Sequence, residues 1–282
     1  MIAVEEITGA IKELPPFPSV ATQALKILND PDASADDVIP VVQYDQTITA
    51  NVLKLCNSAY YGLTRKVDSL RQGLVVLGNA ELKNIILAST VVKFFRHDNK
   101  GYDLAKGELW KHAVATGIMS KIVSARVMKS EPSSLFTAGL LHDIGKVVLD
   151  GFVDRYIEQI IGLVNEDECS FLEAESKMLG INHAEVGAKI AESWNFPEDI
   201  VRAIRLHHRA EEAREDDVIT PIIYLANILT LSMGIGVGRD GLSYRGREEL
   251  AKRYRLGIED LQKIMVDFCR QYDKVRDMLR LV

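Results

Sequence analysis

Residues 134–150 read SLFTAGLLHDIGKVVLD, a stretch that joins an apolar helical pattern to polar side chains at its centre. Apolar residues lie on nearly every face of the predicted helix, so its backbone is expected to be buried on most sides. An ionised carboxylate in such a place is costly unless it is paired or bound to a metal, so Asp143 needs a partner. Lys146, one turn onward, offers an ion pair at i, i+3, and a metal ion is the alternative.

Helical periodicity extends through nearly the whole chain. Apolar residues recur at helical spacing, and strand-like alternation bounded by turn dipeptides is rare. N-cap residues mark helix starts at Ser34, Asp45 and Ser170, and glycines mark helix ends at Gly62 and Gly180. The sequence therefore predicts an all-α fold of about a dozen short helices joined by brief loops.

The composition narrows the class of protein. The 282 residues carry a net charge of -6 with acidic and basic residues interspersed, so no nucleic-acid partner is expected. The three cysteines, Cys56, Cys169 and Cys269, form no CxxC pair, which argues against a disulfide framework and a thiolate zinc site. No basic and apolar leader opens the chain, and no run of about 18 residues is apolar and uncharged. We therefore expect a cytoplasmic protein with no membrane contact.

The distribution of histidines divides the chain. Five of the six lie after residue 100, and the HDNKG step at 97–101 marks a change of character. We predict an N-terminal helical part at residues 1–100, a helical part that carries the chemistry at 101–230, and a C-terminal helical tail at 231–282. Residues 234–246 are rich in glycine and are interpreted as a flexible connection. A phosphate-binding loop is the alternative there, although neither a preceding strand nor a GKS or GKT step is present.

The histidines of the second part occupy helix positions from which an imidazole can point inward. Glu108 and His112 are four residues apart and share a helix face, a spacing at which two side chains can bind one ion. His183 opens a helix after an N-cap asparagine, and His207 and His208 end another helix. Taken singly, a surface pair, a helix start and a charge at a helix C-terminus explain them. Their concentration in one half of the chain indicates a shared pocket.

Two sets of motifs resemble known families. The order of Glu108 and His112, then HDIGK at 142–146, then His183, then the histidine pair at 207–208 resembles the metal-binding order of HD-superfamily phosphohydrolases, especially the HD-GYP branch. Three earlier segments resemble the HDOD family of helical regulatory domains, which is related to the HD-GYP proteins. These segments are LPPFPSVATQALKILNDPDAS at 14–34, VVQYDQTITANVLKLCNSAYYG at 41–62 and SLRQGLVVLGNAELKNIIL at 69–87. Together the two resemblances cover residues 14–230.

The resemblance implies a set of metal ligands and two departures from the HD pattern. A last helix contributes an aspartate in HD enzymes, and Asn227 stands at that place here, so this ligand brings an amide oxygen without charge. Residues 209–216, RAEEARED, replace the GYP-containing segment, so specificity for a cyclic dinucleotide is not implied. The implied ligands are Glu108, His112, His142, Asp143, His183, His207 and His208, with Asn227 as a weak addition.

The implied cofactor is one or two divalent transition ions, iron, manganese or zinc, bound by imidazoles and carboxylates. In a first hypothesis the chain is a bacterial HDOD regulatory protein whose output is contact with a signalling protein partner. In a second it is an active metal-dependent phosphohydrolase or phosphodiesterase that acts on a phosphate-containing small molecule, with Asp143 and Lys146 as catalytic residues. A third, structural interpretation has the histidines satisfied by hydrogen bonds in a polar pocket.

Overall fold

The structure, a computed structural model, describes residues 2–30, 32–58, 61–128, 132–166, 169–240, 254, 256–275 and 279. These residues form α-helices joined by loops and short 3-10 turns, which confirms the predicted all-α class. In chain order, α1 to α14 span Ile2–Glu13, Ser19–Leu28, Ala35–Val42, Gln46–Cys56, Leu70–Val91, Glu108–Val127, Leu135–Leu141, Gly145–Arg155, Ile157–Glu166, Phe171–Leu179, His183–Ser193, Glu198–Leu206, Ile219–Ser232 and Ile258–Tyr272.

Several helix starts lie where the sequence predicts them. At α10 the Glu173 N–H donates to the Ser170 hydroxyl at 3.2 Å, and the Ser170 N–H donates to the Glu173 carboxylate at 2.7 Å. At α4 the Ile48 N–H donates to the Asp45 carboxylate at 2.9 Å. These bonds satisfy backbone N–H groups that a helix start otherwise leaves unpaired. Capping therefore fixes where these helices begin and, with that, which of their residues are buried.

The chain divides into two compact units. In the described part of the chain, the first unit contains the residues up to Pro15 and His97–Phe268, and the second contains Pro16–Arg96 and the residues from Cys269 on. The junction after Arg96 lies close to the predicted boundary near residue 100. Two features differ from the predicted division: α1 belongs to the histidine-bearing unit, and the predicted tail at 231–282 is shared between both units.

The first unit is built around two mostly buried helices, α6 and α13. The helix α6 packs against α7 and α13, while α11 packs against α8 and α12. Leu109, Trp110 and Val114 of α6 and Ile222 and Ile223 of α13 have no exposed surface. Full burial of an aliphatic side chain of this size contributes about 1.5–3 kcal/mol each. These helices therefore form a close-packed frame for the polar side chains that they carry.

In the second unit, α2, α3 and α4 pack against α5. Val52 and Ile85 are fully buried and belong to the apolar core of this unit. Val75 and Val76 are apolar but lie outside this core, because their side chains are 77% and 52% exposed. Since Leu74 faces the core, the next two residues of the helix turn away from it by about 100° and 200°.

One stretch among the described residues, Leu70–Phe95, is long and apolar enough to cross a membrane by length and composition alone. Its most apolar window is 56% buried inside the folded chain, and Gly78 interrupts the helix with a backbone conformation outside the helical region. Core helices of soluble proteins share this length and apolar character, and they bury it inside the fold. The stretch is therefore accounted for by packing within the second unit.

Candidate metal centre

The HD residues lie on a turn and not within a continuous helix. The prediction of one helix through 134–150 is wrong at this point, because α7 ends at Leu141 and α8 begins at Gly145. Backbone bonds tighten the turn, with the Lys146 N–H donating to the Asp143 carbonyl at 3.0 Å. A Cβ on Gly145 would lie 1.9 Å from the His183 carbonyl oxygen, so only glycine fits where α8 meets the start of α11. This contact brings the turn to His183.

Four buried imidazoles are oriented by hydrogen bonds from Nδ1, each to an oxygen that can only accept. In His142, His183 and His207 Nδ1 carries the proton, so Nε2 of the neutral ring carries a lone pair. In His112 each ring nitrogen lies beside an oxygen, since Nε2 is 2.9 Å from the side-chain oxygen of Asn227. The four pairs are His112 with the Ile235 carbonyl at 3.0 Å, His142 with the Gly139 carbonyl at 2.7 Å, His183 with the Glu175 carboxylate at 2.7 Å and His207 with the Ile204 carbonyl at 2.7 Å. All four Nε2 atoms are directed toward Asp143.

The Asp143 carboxylate lies between these nitrogens. Its Oδ2 is 3.6 Å from Nε2 of His112 and 3.4 Å from Nε2 of His142, and its Oδ1 is 3.6 Å from Nε2 of His183 and 3.4 Å from Nε2 of His207. These separations are long for hydrogen bonds. The potential ligand atoms form two groups that share Asp143, and within each group the atoms lie within 4.8 Å of one another. The three-histidine group is Asp143, His183, His207 and His208, and the two-histidine group is His112, His142 and Asp143.

Three buried atoms of this cluster have no hydrogen-bond partner within the described part of the chain: Nε2 of His142, Nε2 of His207 and Oδ1 of Asp143. Buried acceptors without a donor are costly, and a cation among them removes that cost. Donor atoms bound to one ion at about 2.1 Å lie about 3.0–3.4 Å apart, close to the observed separations. The residues therefore fit a metal ion, and imidazoles with a carboxylate favour a transition metal over calcium or magnesium.

The pKa values of the cluster suit metal ligands. Burial, with the nearby His142, lowers the pKa of His112 to about 4, and burial lowers the pKa of His207 to about 3. Burial, reinforced by His207, also holds the pKa of His208 well below its usual value. For Asp143 burial opposes ionisation, but Lys146 and His142 outweigh it, and the pKa lies well below its usual value. These imidazoles are neutral and this carboxylate is charged at neutral pH, as metal binding requires.

His183 is supported by a carboxylate that the sequence did not point to. Glu175 is fully buried, and its two oxygens accept hydrogen bonds from the Tyr102 hydroxyl at 2.6 Å and from the His183 backbone N–H at 2.9 Å, in addition to the His183 ring. Burial lowers the tendency of His183 to protonate, but Glu175 outweighs burial and raises its pKa. A carboxylate behind a ligating imidazole fixes the ring and makes it more basic. The sequence does contain a sign of this role, because Glu175 is a charged residue on the otherwise apolar face of α10.

His208 completes the three-histidine group. Its Nε2 lies 2.8 Å from Nε2 of His183. Two such nitrogens share one proton in a hydrogen bond, or both present lone pairs to one ion. The two residues are therefore placed for either state, and an ion held by both nitrogens would replace the shared proton.

Asn227 lies beside the two-histidine group. Its side-chain oxygen is 2.9 Å from Nε2 of His112, and the residue is buried. The structure therefore brings the predicted weak ligand to the cluster, on the side of His112. It contributes an oxygen but no negative charge, unlike Asp143.

Glu108 is not part of either group of donors found among the described residues, so its role as a metal ligand stays a prediction. Its carboxylate pairs with Lys111 at 2.5 Å, and a third of its side chain is exposed. Glu108 opens α6, where a neighbour at i+3 and solvent are both within reach. The alternative interpretation, a surface pair of Glu108 with His112, is wrong, because Glu108 pairs with Lys111 and His112 is buried.

Lys146 forms the predicted ion pair with Asp143 and a second one that was not predicted. Its Nζ lies 2.7 Å from Oδ2 of Asp143 and 2.6 Å from Oδ2 of Asp240, and it lies 5.4 Å from the centre of the Tyr102 ring. Both carboxylates and the ammonium are buried. Asp240 comes from the glycine-rich segment after α13, whose composition gave no signal of a site residue.

A model of the HDOD domain matches residues 14–210, which is more than half of the chain. The chain belongs to the HDOD domain family. The family match includes the three N-terminal segments and the HD turn, and it confirms the resemblance to the HDOD family.

Solved structures share the fold of this HDOD chain. An HDOD domain protein of unknown function from Geobacter sulfurreducens is 26% identical, with a TM-score of 0.80 over 100% of this chain and 98% of that one. A candidate phosphohydrolase from Shewanella amazonensis SB2B is 24% identical, with a TM-score of 0.74 over 97% of each chain. The second likeness concerns the fold alone.

Among curated proteins, an uncharacterized protein of Treponema pallidum (strain Nichols) is 26% identical over 214 residues, which are 74% of this chain and 40% of that protein. The HDOD chain thus spans less than half the length of this relative. The family and fold are established by these comparisons, and the chemistry is argued from the cluster itself.

Proposed function

We propose that this HDOD chain is a metal-binding regulatory protein of a bacterial signalling pathway, cytoplasmic in location, whose output is contact with a partner protein. The observation that carries the proposal is a contrast within the cluster. Inward-facing donors of an HD-type metal site are retained, whereas Lys146, the cation suited to a phosphate, is held by two carboxylates. Asn227 also replaces a charged ligand with a neutral one.

The charges of the cluster favour one tightly held divalent ion. Asp143, Glu175 and Asp240 bring three carboxylates, and Lys146 brings one ammonium, so the buried groups sum to two negative charges when the imidazoles are neutral. One divalent cation balances this sum. We place it in the three-histidine group and propose iron, manganese or zinc, with weaker binding of a second ion in the two-histidine group.

A second candidate is an active metal-dependent phosphohydrolase or phosphodiesterase. It is favoured by the pairing of Asp143 with Lys146 beside the two groups of donors. A bound ion would supply an activated water and polarise a phosphoryl oxygen. Asp143 would orient the bound ion, and Lys146 would stabilise negative charge that develops on a phosphate. In this function Asp240 has to leave Lys146 before a phosphate can bind there.

The test is metal analysis of the purified chain together with hydrolysis of bis(p-nitrophenyl) phosphate in the presence of added manganese or iron. Wild type, Asp143→Ala and the matched control Asp154→Ala, on the exposed side of α8, are compared. Stoichiometric metal without turnover supports the regulatory proposal, and turnover that Asp143→Ala alone abolishes supports the enzyme. If the protein binds none of the three added ions, iron, manganese or zinc, the regulatory and the enzymatic proposals are both contradicted. The histidines would then form a hydrogen-bonded polar pocket.

A further inference from the structure

The segment that follows α13 is attached to the metal-type cluster at several points. We name residues 234–240, GIGVGRD, the strap. The Ile235 carbonyl accepts the hydrogen bond from Nδ1 of His112 at 3.0 Å, and the Arg239 N–H donates to the Tyr102 carbonyl at 3.0 Å. The stretch predicted to be a flexible connection is thus attached here, at residues 234–240, by these two hydrogen bonds. Its remaining part, 241–246, lies outside the described residues.

The strap passes directly over His112. Gly236 has a φ of 66°, and a Cβ built there would lie 2.4 Å from the Cβ of His112. Only glycine combines this backbone conformation with so close an approach. The strap therefore covers the two-histidine group from the side of His112 while its carbonyl at Ile235 orients the ring.

The strap ends in a buried carboxylate that is half satisfied. Asp240 is 5% exposed, and its Oδ2 lies 2.6 Å from Nζ of Lys146. Its Oδ1 has no hydrogen-bond partner among the residues that the structure describes. A buried carboxylate with an unpaired oxygen is costly, so Asp240 is held at this place mainly by the ion pair with Lys146.

An ammonium group binds carboxylate and phosphate oxygens through the same charge-assisted hydrogen bonds. Asp240 thus sits where an oxygen of an external phosphate would be held by Lys146. We propose that the strap is an internal inhibitor, in which Asp240 takes the place of a phosphate-type oxyanion on Lys146 and has to withdraw before such an anion can bind. The inference rests on the proposed function for the metal site, and on the second candidate function for the binding of a phosphate at Lys146.

The first experiment compares the affinity of the full chain for inorganic phosphate, measured by isothermal titration calorimetry on metal-loaded and metal-free protein. We expect Asp240→Asn to bind phosphate about tenfold to a hundredfold more tightly than wild type, since one charge-assisted contact no longer competes. The double variant Asp240→Asn/Lys146→Gln should lose this gain. The matched control is Asp103→Asn, an exposed aspartate 3.9 Å from Arg239 of the strap, which should bind phosphate as wild type does.

Equal phosphate affinities for wild type and Asp240→Asn, or a gain that persists without Lys146, would overturn the inference. Absence of phosphate binding by both proteins would do the same. Metal content is measured on the same samples, so the two proposals fail separately. If Asp240→Asn binds phosphate more tightly but the protein binds no metal, only the proposed function is contradicted. If the protein binds metal but Asp240→Asn binds phosphate no more tightly than wild type, only the inference is contradicted.

A second measurement uses wild type only, so it does not depend on the folding of a variant. Hydrogen exchange is followed with and without saturating inorganic phosphate. The Arg239 amide, which is bonded to the Tyr102 carbonyl, should exchange faster when phosphate is bound. The Glu185 amide, held by the N-cap of α11, serves as the internal control and should not change. Unchanged exchange at Arg239 in phosphate-saturated protein would contradict the strap movement.

Discussion

The two groups of donors share Asp143 and differ in what holds their imidazoles. In the three-histidine group, His183 is fixed by the buried carboxylate of Glu175, and His207 is fixed by a carbonyl of its own helix. In the two-histidine group, His112 is oriented by the Ile235 carbonyl of the strap. The first group is thus supported by packed helices and a charge, whereas the second depends partly on a segment with few backbone bonds.

This difference teaches that one ligand pattern along the sequence can produce two sites of unequal strength. Ligand type alone does not separate them, because both groups consist of imidazoles and the same carboxylate. The groups behind the ligands do separate them, since an outer carboxylate raises ligand basicity and fixes ring orientation. We therefore expect metal affinity to be higher in the three-histidine group, and the following experiments break or sharpen that comparison.

Removal of one ligand from each group should have the largest effect. We expect His207→Ala to weaken binding of the tightest ion by more than about a hundredfold, because a side chain that binds the ion directly is lost and a cavity is left in its place. His142→Ala should leave the tightest ion within about threefold of wild type and abolish binding of a second ion. Metal titration by calorimetry measures both. If His142→Ala removes the tight ion, the ranking of the two groups is reversed.

Removal of the support behind His183 should have the next largest effect. We expect Glu175→Gln to lower the affinity of the tight ion by about 10-fold to 100-fold, the usual cost of losing an outer carboxylate. Glu173→Gln, on the same helix but in its exposed capping box, is the matched control and should leave metal affinity unchanged. A Glu175→Gln protein with wild-type metal affinity and thermal stability would show that the carboxylate does not tune the site.

Addition of a charge to the weaker group should have a smaller effect of opposite sign. Asn227→Asp places a carboxylate 2.9 Å from the present position of His112 Nε2, and we expect binding of the second ion to strengthen about tenfold. Asn195→Asp, at an exposed position, controls for the change in net charge. Calorimetric titration with manganese measures the affinities of the tight ion and of the second ion. If only the tight ion binds more strongly, Asn227 belongs to the three-histidine group and not to the two-histidine group.

The pH dependence of the metal-free protein should show the smallest effect. The pKa of His112 falls to about 4 in the folded chain from an unfolded value near 6.5, so the unfolded state binds the extra proton between these values. Stability is therefore lost as pH falls from about 6.5 to about 4. His112→Gln should flatten the pH profile of the melting temperature by about 2–4 °C per pH unit in this window. Identical slopes for wild type and variant would show that His112 is not buried as a neutral ring.

The sequence carried most of the fold and most of the ligands, and the reasons are physical. Capping boxes and helical periodicity are local signals, so the all-α class and the start of α10 at Ser170 could be predicted. Asp143 could be predicted as a site residue, because burying a charge among apolar residues is costly unless the charge has a partner. The pairing of Glu108 with Lys111 could not be predicted, because helical spacing indicates which residues share a face but not which partner each one takes.

Asp240 and Glu175 could not be found by the same reasoning. Their roles arise from contacts between segments far apart in the chain, Asp240 with Lys146 and Glu175 with Tyr102 and His183. Neither spacing nor propensity encodes such contacts. Val75 and Val76 show the same limit in the second unit. Both side chains are apolar but exposed, because apolar character alone does not determine whether another helix packs against a residue.

The contact of Gly145 with the His183 carbonyl links helix packing to the ligand geometry. Because no side chain separates the starts of α8 and α11, a displacement of one helix from the other changes the distance between Asp143 and His183. Ion occupancy and the docking of these two helices are consequently coupled, and the coupling acts equally in both directions. A protein that binds α11 in a shifted position would release the ion by the same factor by which the ion resists the shift.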